Sequence, residues 1–146
     1  NAHLSKVLAV EQFATLFWAV IDENENTLTY ASAAAPPVIV GLNGDAETLR
    51  FIDTSGLPVG IISDVSYENK VIEFPSNSFV FVYSDALIES PDHDGHMWEE
   101  TGLMERAKKH ALLGFDNVQP SLLREFLETA VTPIPDDLTT VSFVRP

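Results

Sequence analysis

The chain has 146 residues, 45% of them hydrophobic, which fits one domain with its own core and excludes a disordered segment. Its 22 acidic side chains against 8 Lys plus Arg give a formal net charge of -14, which argues against nucleic-acid or membrane-surface binding and permits divalent cations or a basic partner. There is no cysteine, no signal-peptide pattern and no apolar run near the ~20 residues of a membrane span, so the expectation is a cytoplasmic protein without disulfides.

Asn1 and Ala2 read as an expression-vector remnant on a piece of a longer protein. Leu4, Val7 and Leu8 have helical spacing and predict the last turns of a helix. FATLFWAVID (Phe13–Asp22) predicts a strand buried on both faces. ENEN (Glu23–Asn26) is a turn cluster, and TLTYASA (Thr27–Ala33) alternates and returns as the second arm of a hairpin. PPVIVGL (Pro36–Leu42) is a third strand, NGD (Asn43–Asp45) a hairpin turn, and ETLRFI (Glu47–Ile52) its return. SGLPVGI (Ser55–Ile61) reads as a loop with a short strand. YENKVIEF (Tyr67–Phe74) and NSFVFVYS (Asn77–Ser84) read as a strand pair around Pro75.

The period then changes. GLMERAKKHALLG (Gly102–Gly114) puts Leu103, Met104, Ala107 and Ala111 on one helical face, with Gly114 as a stop. PSLLREFLETAV (Pro120–Val131) does the same with Leu122, Leu123, Phe126, Leu127 and Ala130, with Pro120 suited to the first turn. LTTVSFV (Leu138–Val144) is a last strand after the proline-rich PIPDD. Strands, two helices and a strand predict a single α+β layered domain over residues 1–146. Trp18 and Trp98 read as packing residues rather than stacking platforms.

Two carboxylates draw the chemistry. Asp85 ends the apolar strand FVFVYS and Asp136 precedes the last strand. If those strands are antiparallel neighbours, both carboxylates reach one sheet edge, where hard cations such as Mg²⁺ or Mn²⁺ find oxygen ligands. The alternative is that both are turn residues satisfied by backbone N–H groups. DTSG (Asp53–Gly56) has an Asp-x-x-Gly spacing but runs straight into the Gly-Leu-Pro loop. DHDG (Asp92–Gly95) starts like a calcium loop but has His96 and Leu103 at its fifth and twelfth positions, so it reads as an exposed loop whose His93, Asp94 and His96 bind at most an adventitious metal.

Five segments, in order, resemble the C-terminal part of the SpoIIE/RsbU-type bacterial serine phosphatases of the phosphatase 2C superfamily. FATLFWAVID resembles the family's Phe-x-Thr strand, and TLTYASAAAPPVIV its strand followed by Ala-Gly-His-Pro-Pro. GLPVGI resembles its Gly-x-Pro-Leu-Gly loop, FVFVYSDALIES its Tyr-Thr-Asp-Gly-x-x-Glu strand end, and PDDLTTVSFV its Asp-Asp-x-Thr strand. The resemblance implies an α-β-β-α sandwich, a layered β-sandwich flanked by helices, with the N-terminal part absent. It implies that Asp85 and Asp136 are metal ligands and that Asp137 and Glu89 support them. The implied cofactor is Mn or Mg, two ions in the family.

The departures are specific. Ala34 and Ala35 stand where the family has Gly and His, Ala86 replaces the Gly after the Asp, Ser84 replaces Thr and keeps a hydroxyl, and Ser76 and Asn77 replace Gly-Asp. The family's first metal motif, Asp-x-x-Gly-His-Gly, belongs upstream of Phe13, and the 12 residues there contain no Asp. The expectation is a degenerate or incomplete phosphatase domain, inactive as given. The alternative is a catalytically inactive adaptor or output domain of a response regulator controlling a sigma factor. Expected partners are an anti-sigma-factor antagonist or sigma factor, an upstream receiver or sensory domain, and a second copy of the chain paired at the edge of Phe13–Ile21.

Overall fold

The polar cluster Glu23–Asn26 does reverse the chain: β1 (Leu16–Asp22) runs antiparallel to β2 (Thr27–Ala33), with Asp22 opposite Thr27 and Leu16 opposite Ala33. The Asp22 carboxylate accepts the N–H groups of Asn24 and Glu25 at 2.9 and 3.0 Å, and Asn26 takes the left-handed backbone that its side chain tolerates. Asn43-Gly44 turns the second hairpin with φ of 56° and 70°, as a two-residue turn between twisted strands requires. It joins β3 (Val38–Leu42) to β4 (Asp45–Ile52).

The computed structural model describes residues 1, 3–7 and 12–146, in two compact units. The first comprises Asn1–Ala35 and Asp53–Phe74. It holds the short helix α1 (Leu4–Val7) and a three-stranded sheet ordered β1-β2-β5, with β5 at Lys70–Glu73. Leu8, expected in the same helix, lies outside the described residues. The GLPVGI loop is pinned by a backbone pair between Ala14 and Val59, at 2.9 and 2.8 Å. Ala34, where the family has Gly, has φ of 56°.

The second unit comprises Pro36–Ile52 and Pro75–Pro146. Its four-stranded antiparallel sheet runs β4-β3-β6-β7, with β6 at Phe79–Tyr83 and β7 at Thr140–Val144. Three helices complete it: α2 (Ala86–Glu89), α3 (Glu99–Ala111) and α4 (Val118–Thr129), the last two joined through a 3₁₀ turn at Phe115–Asn117. Ile39, Phe79, Phe81, Leu87, Leu103, Ala107, Leu122 and Phe126 share one buried core. Each helix therefore buries the stripe that its periodicity marks, although Leu127 is exposed. Trp98 and Phe126 pack T-shaped at 5.6 Å between ring centres, and the Arg106 guanidinium lies over the Trp98 ring at 4.6 Å. Gly41 on β3 is sterically required, because a Cβ there would sit 2.6 Å from the Phe115 ring.

Three expectations need correction. β1 is not buried on both faces: Leu16, Trp18, Ala19 and Val20 are exposed, and among the described residues β1 is the end strand of its sheet, with one neighbouring strand rather than two. Trp18 is accordingly no core residue. The segments flanking Pro75 do not pair with each other. β5 pairs with β2 and β6 pairs with β3 and β7, and the Phe74 N–H goes to the Asn26 carbonyl at 2.7 Å. The α+β class stands. Among the described residues no helix is long and apolar enough to cross a membrane.

Candidate metal-binding end of the four-stranded sheet

β6 is built from side chains that want no water. Phe79, Val80, Phe81 and Tyr83 are buried, and the rings of Phe81 and Tyr83 stack at 5.6 Å. Burial, reinforced by the Glu100 carboxylate, pushes the Tyr83 phenol up from its ordinary range, so it stays neutral. This rail emerges from the core at Ser84 and Asp85, and Asp85 is exposed.

β7 arrives beside it from the opposite direction. The register pairs Phe79 with Val144 and Tyr83 with Thr140. The condition set by the sequence is met: the end of one strand meets the start of the other, and Asp85 and the Asp136–Asp137 pair flank the same sheet end.

Ser84 fastens that end. Its N–H donates to the Thr139 carbonyl at 2.9 Å, its hydroxyl donates to the Asp137 carbonyl at 2.9 Å, and its Oγ accepts the Thr139 N–H at 2.9 Å. The retained hydroxyl thus holds the segment carrying Asp136 and Asp137 against the strand carrying Asp85. Its role as a clip was missed in the sequence, where only its likeness to Thr was a signal.

The carboxylates keep part of the plainer role as well. One Asp85 oxygen accepts the Ala86 N–H at 3.0 Å and caps α2, and one Asp136 oxygen accepts the Asp137 N–H at 2.7 Å. Neither second oxygen has a hydrogen-bond partner among the described residues. Hard oxygen donors on two adjacent strand ends fit a divalent cation of the Mg²⁺ or Mn²⁺ kind, as a two-carboxylate site. Ala86 is helical, buried and free of positive φ, so the added Cβ strains nothing at this turn.

Glu89 ends α2 and is exposed. It lines an open cleft of about 580 Å³ with Ile88, Met97, Glu99, Glu100 and Thr101, and so stands one turn away from Asp85. Among the described residues, the set of three metal-capable side chains with ligand atoms within 4.8 Å of one another is Asp92, Asp94 and His96, in the DHDG loop. Asp92 there accepts the N–H groups of Asp94 and His96 at 2.9 and 2.8 Å. The His96 bond foremost holds the carboxyl below its ordinary range. That is the wiring of a turn. Asp53 of DTSG is likewise engaged, with the Lys70 ammonium and the Ser55 N–H.

Comparison with known proteins gives the family and the fold. The family described as Stage II sporulation protein E (SpoIIE) matches over residues 1–146. No curated protein matches the chain. Among solved structures, the RsbU and RsbW domains of a Mycobacterium tuberculosis protein superpose with a TM-score of 0.78 at 20% identity, covering 99% of this chain and 39% of that one. The manganese-presoaked phosphatase domain of SpoIIE from Bacillus subtilis gives 0.66 at 17% identity, covering 96% and 61%. RsbX in complex with magnesium gives 0.64 at 14% identity, covering 99% and 62%. The chain therefore spans less than two thirds of each of these structures, with the same fold. A family match along every residue, on a fold shared with these solved structures, makes this chain a member of the SpoIIE family.

Proposed function

We propose that the chain serves a metal-dependent protein serine phosphatase domain, to which it contributes a two-carboxylate cation site at Asp85 and Asp136, and that this site is incomplete on its own. The observation that carries the proposal is the Ser84 clip, which ties the two carboxylate-bearing strand ends together through three hydrogen bonds. A bound Mg²⁺ or Mn²⁺ supplies Lewis acidity at a phosphoryl group. The chain's own part is to present Asp85 from a rigid buried strand, Asp136 from the segment held by Ser84, and Asp137 through its clipped carbonyl. The substrate class supported by family membership is phosphoserine in a protein.

Calorimetric titration with Mn²⁺ tests the reading. A single weak class of sites is expected, with a dissociation constant on the order of millimolar as for sparse oxygen sites, and it disappears in Asp85→Asn and Asp136→Asn. Tight binding of two ions sinks the incompleteness. Unchanged binding in Asp85→Asn sinks the ligand assignment. A folded chain that binds no Mn²⁺ leaves the inactive, partner-binding output domain as the better description.

A further inference from the structure

Two sets of bonds hold the β7 segment, and they differ in what they read. The Ser84 clip takes hold of main-chain groups at Asp137 and Thr139, which every residue of a strand carries. It fastens two strand ends without specifying which residues of β7 meet there. Gln119, in the first turn of α4, binds side chains instead. Its amide nitrogen donates to the Thr140 hydroxyl at 2.9 Å and to the Thr140 carbonyl at 3.3 Å, and its amide oxygen accepts the Ser142 hydroxyl at 2.5 Å. The Thr140 carbonyl can only accept, which fixes the way round the amide lies. All three bonds are partly buried.

The register explains how one helix residue reaches both hydroxyls. Tyr83 pairs with Thr140 and Phe81 with Ser142. Directly opposite residues of antiparallel strands share a face, so the two hydroxyls stand beside the Phe81 and Tyr83 rings, on the face packed with Leu122 and Phe126 of α4. Leu138 and Val144, two residues to either side, pack against the same core. This face of β7 therefore reads apolar, hydroxyl, hydroxyl, apolar, with the Gln119 amide on the middle pair. A slip of one residue would turn the exposed Val141 and Phe143 into the core and the hydroxyls out. A slip of two keeps the face, and both the ladder and the Ser84 clip can re-form on main-chain groups. It also brings Leu138 or Val144 to the amide and leaves one end of a partly buried polar group without its partner, which is costly.

We infer that Gln119 is a positioning residue: it fixes the register of β7 on β6 and so delivers Asp136 to the strand end that carries Asp85. The inference rests on the reading of those two carboxylates as a cation site. A slip of two residues moves Asp136 by ~7 Å at 3.4 Å per residue. Two oxygens on one Mg²⁺ or Mn²⁺ ion lie at most ~5 Å apart, about twice a metal–oxygen bond. A slip of that size takes Asp136 off an ion held by Asp85, while the strand itself stays paired.

Gln119→Met tests this, because it keeps the length and helix preference of the side chain and removes all three bonds. NMR cross-strand contacts from Tyr83 to Thr140 and from Phe81 to Ser142 read the register, and calorimetric Mn²⁺ titration reads the site. In Gln119→Met both contacts should weaken and Mn²⁺ affinity should fall several-fold. Ser142→Ala, which leaves the amide oxygen without its donor, should act in the same direction and decides the matter if Gln119→Met does not fold. Ser142→Thr, which keeps the hydroxyl, should keep both readouts. Thr129→Ala, at the other end of α4, loses hydroxyl bonds to the Glu125 and Phe126 carbonyls of its own helix, so it should lower the urea midpoint and leave both readouts unchanged. If the wild-type chain binds no Mn²⁺, the cation reading fails, and the cross-strand contacts alone decide whether Gln119 sets the register. Wild-type contacts in Gln119→Met and Ser142→Ala, or an equal loss of contacts in Thr129→Ala, overturn the inference. So do weakened contacts with Mn²⁺ affinity intact, since the register would then not govern the site.

Discussion

Replacing Ser84 by Ala separates a structural strand end from a working clip. The substitution removes the hydroxyl bonds to the Asp137 carbonyl and from the Thr139 N–H, both 2.9 Å, and leaves the backbone bond from the Ser84 N–H to the Thr139 carbonyl. Two neutral hydrogen bonds are worth roughly 0.5–1.5 kcal/mol each. Residues 137 and 139 are exposed, so water can reach the orphaned groups, and the lower half of the range applies: a loss of about 1–2 kcal/mol. Urea denaturation with a slope of ~1–3 kcal/mol per molar should show this as a drop in midpoint without a change in slope. The second readout is Mn²⁺ binding. If the clip sets the spacing of Asp85 and Asp136, the Ala variant should bind Mn²⁺ several-fold more weakly, and Ser84→Thr should restore both quantities. A Ser84→Ala protein with wild-type midpoint and wild-type Mn²⁺ affinity would refute the reasoning.

Two further expectations concern stability. The family's two glycine positions should respond with opposite signs. Ala34 has φ of 56°, where a Cβ costs ~1 kcal/mol, so Ala34→Gly should raise the unfolding free energy by roughly 0.5–1 kcal/mol; Ala86 is helical and buried, so Ala86→Gly should lower it by about 1 kcal/mol. Paired urea curves showing equal signs would refute the backbone argument. The second expectation is acid sensitivity at the α3–α4 contact, where Glu125 meets Arg106 and His110 at 3.0 Å each. Burial pushes this carboxyl up, but the His110 hydrogen bond with the Lys109 and Arg106 charges outweighs it and holds the group below its ordinary range. A carboxyl depressed in the folded state contributes stability that is present above its unfolded pKa of ~4.3 and lost as pH falls through the folded value. Stability should therefore decline from about pH 5 to pH 3, and Glu125→Gln should flatten that decline; parallel profiles for the two proteins would count against it.

Much of the fold was legible because its signals are local. Asn43-Gly44 specifies its turn by backbone chemistry, and Leu103, Ala107 and Ala111 recur at helical spacing and are buried together. Burial of Phe13–Asp22 was not legible, because an apolar run looks the same in a covered central strand and in an end strand with nothing against its outer side. Partner choice was also hidden. Tyr67–Phe74 and Asn77–Ser84 are neighbours in sequence, yet β5 takes β2 and β6 takes β3 and β7, selections made by residues tens of positions away.

The site was legible in the same divided way. Asp85 and Asp136 were visible as carboxylates at strand ends, but their juxtaposition depended on β6 and β7 being neighbours, which a pattern of apolar residues does not encode. Ser84 was harder still, since its bonding partners lie 53 and 55 residues on, at Asp137 and Thr139. A hydroxyl at a strand end carries no mark that distinguishes a clip from a solvated turn. The same asymmetry separates the family's two missing glycines. Both positions had become Ala, yet one retains the left-handed backbone that glycine favours and the other begins a helix that glycine would weaken. Losing a family glycine is therefore not in itself a sign of a dead site. At Ala86, beside the candidate ligand Asp85, the backbone has no need of one, and the left-handed backbone that glycine favours is found at Ala34 instead.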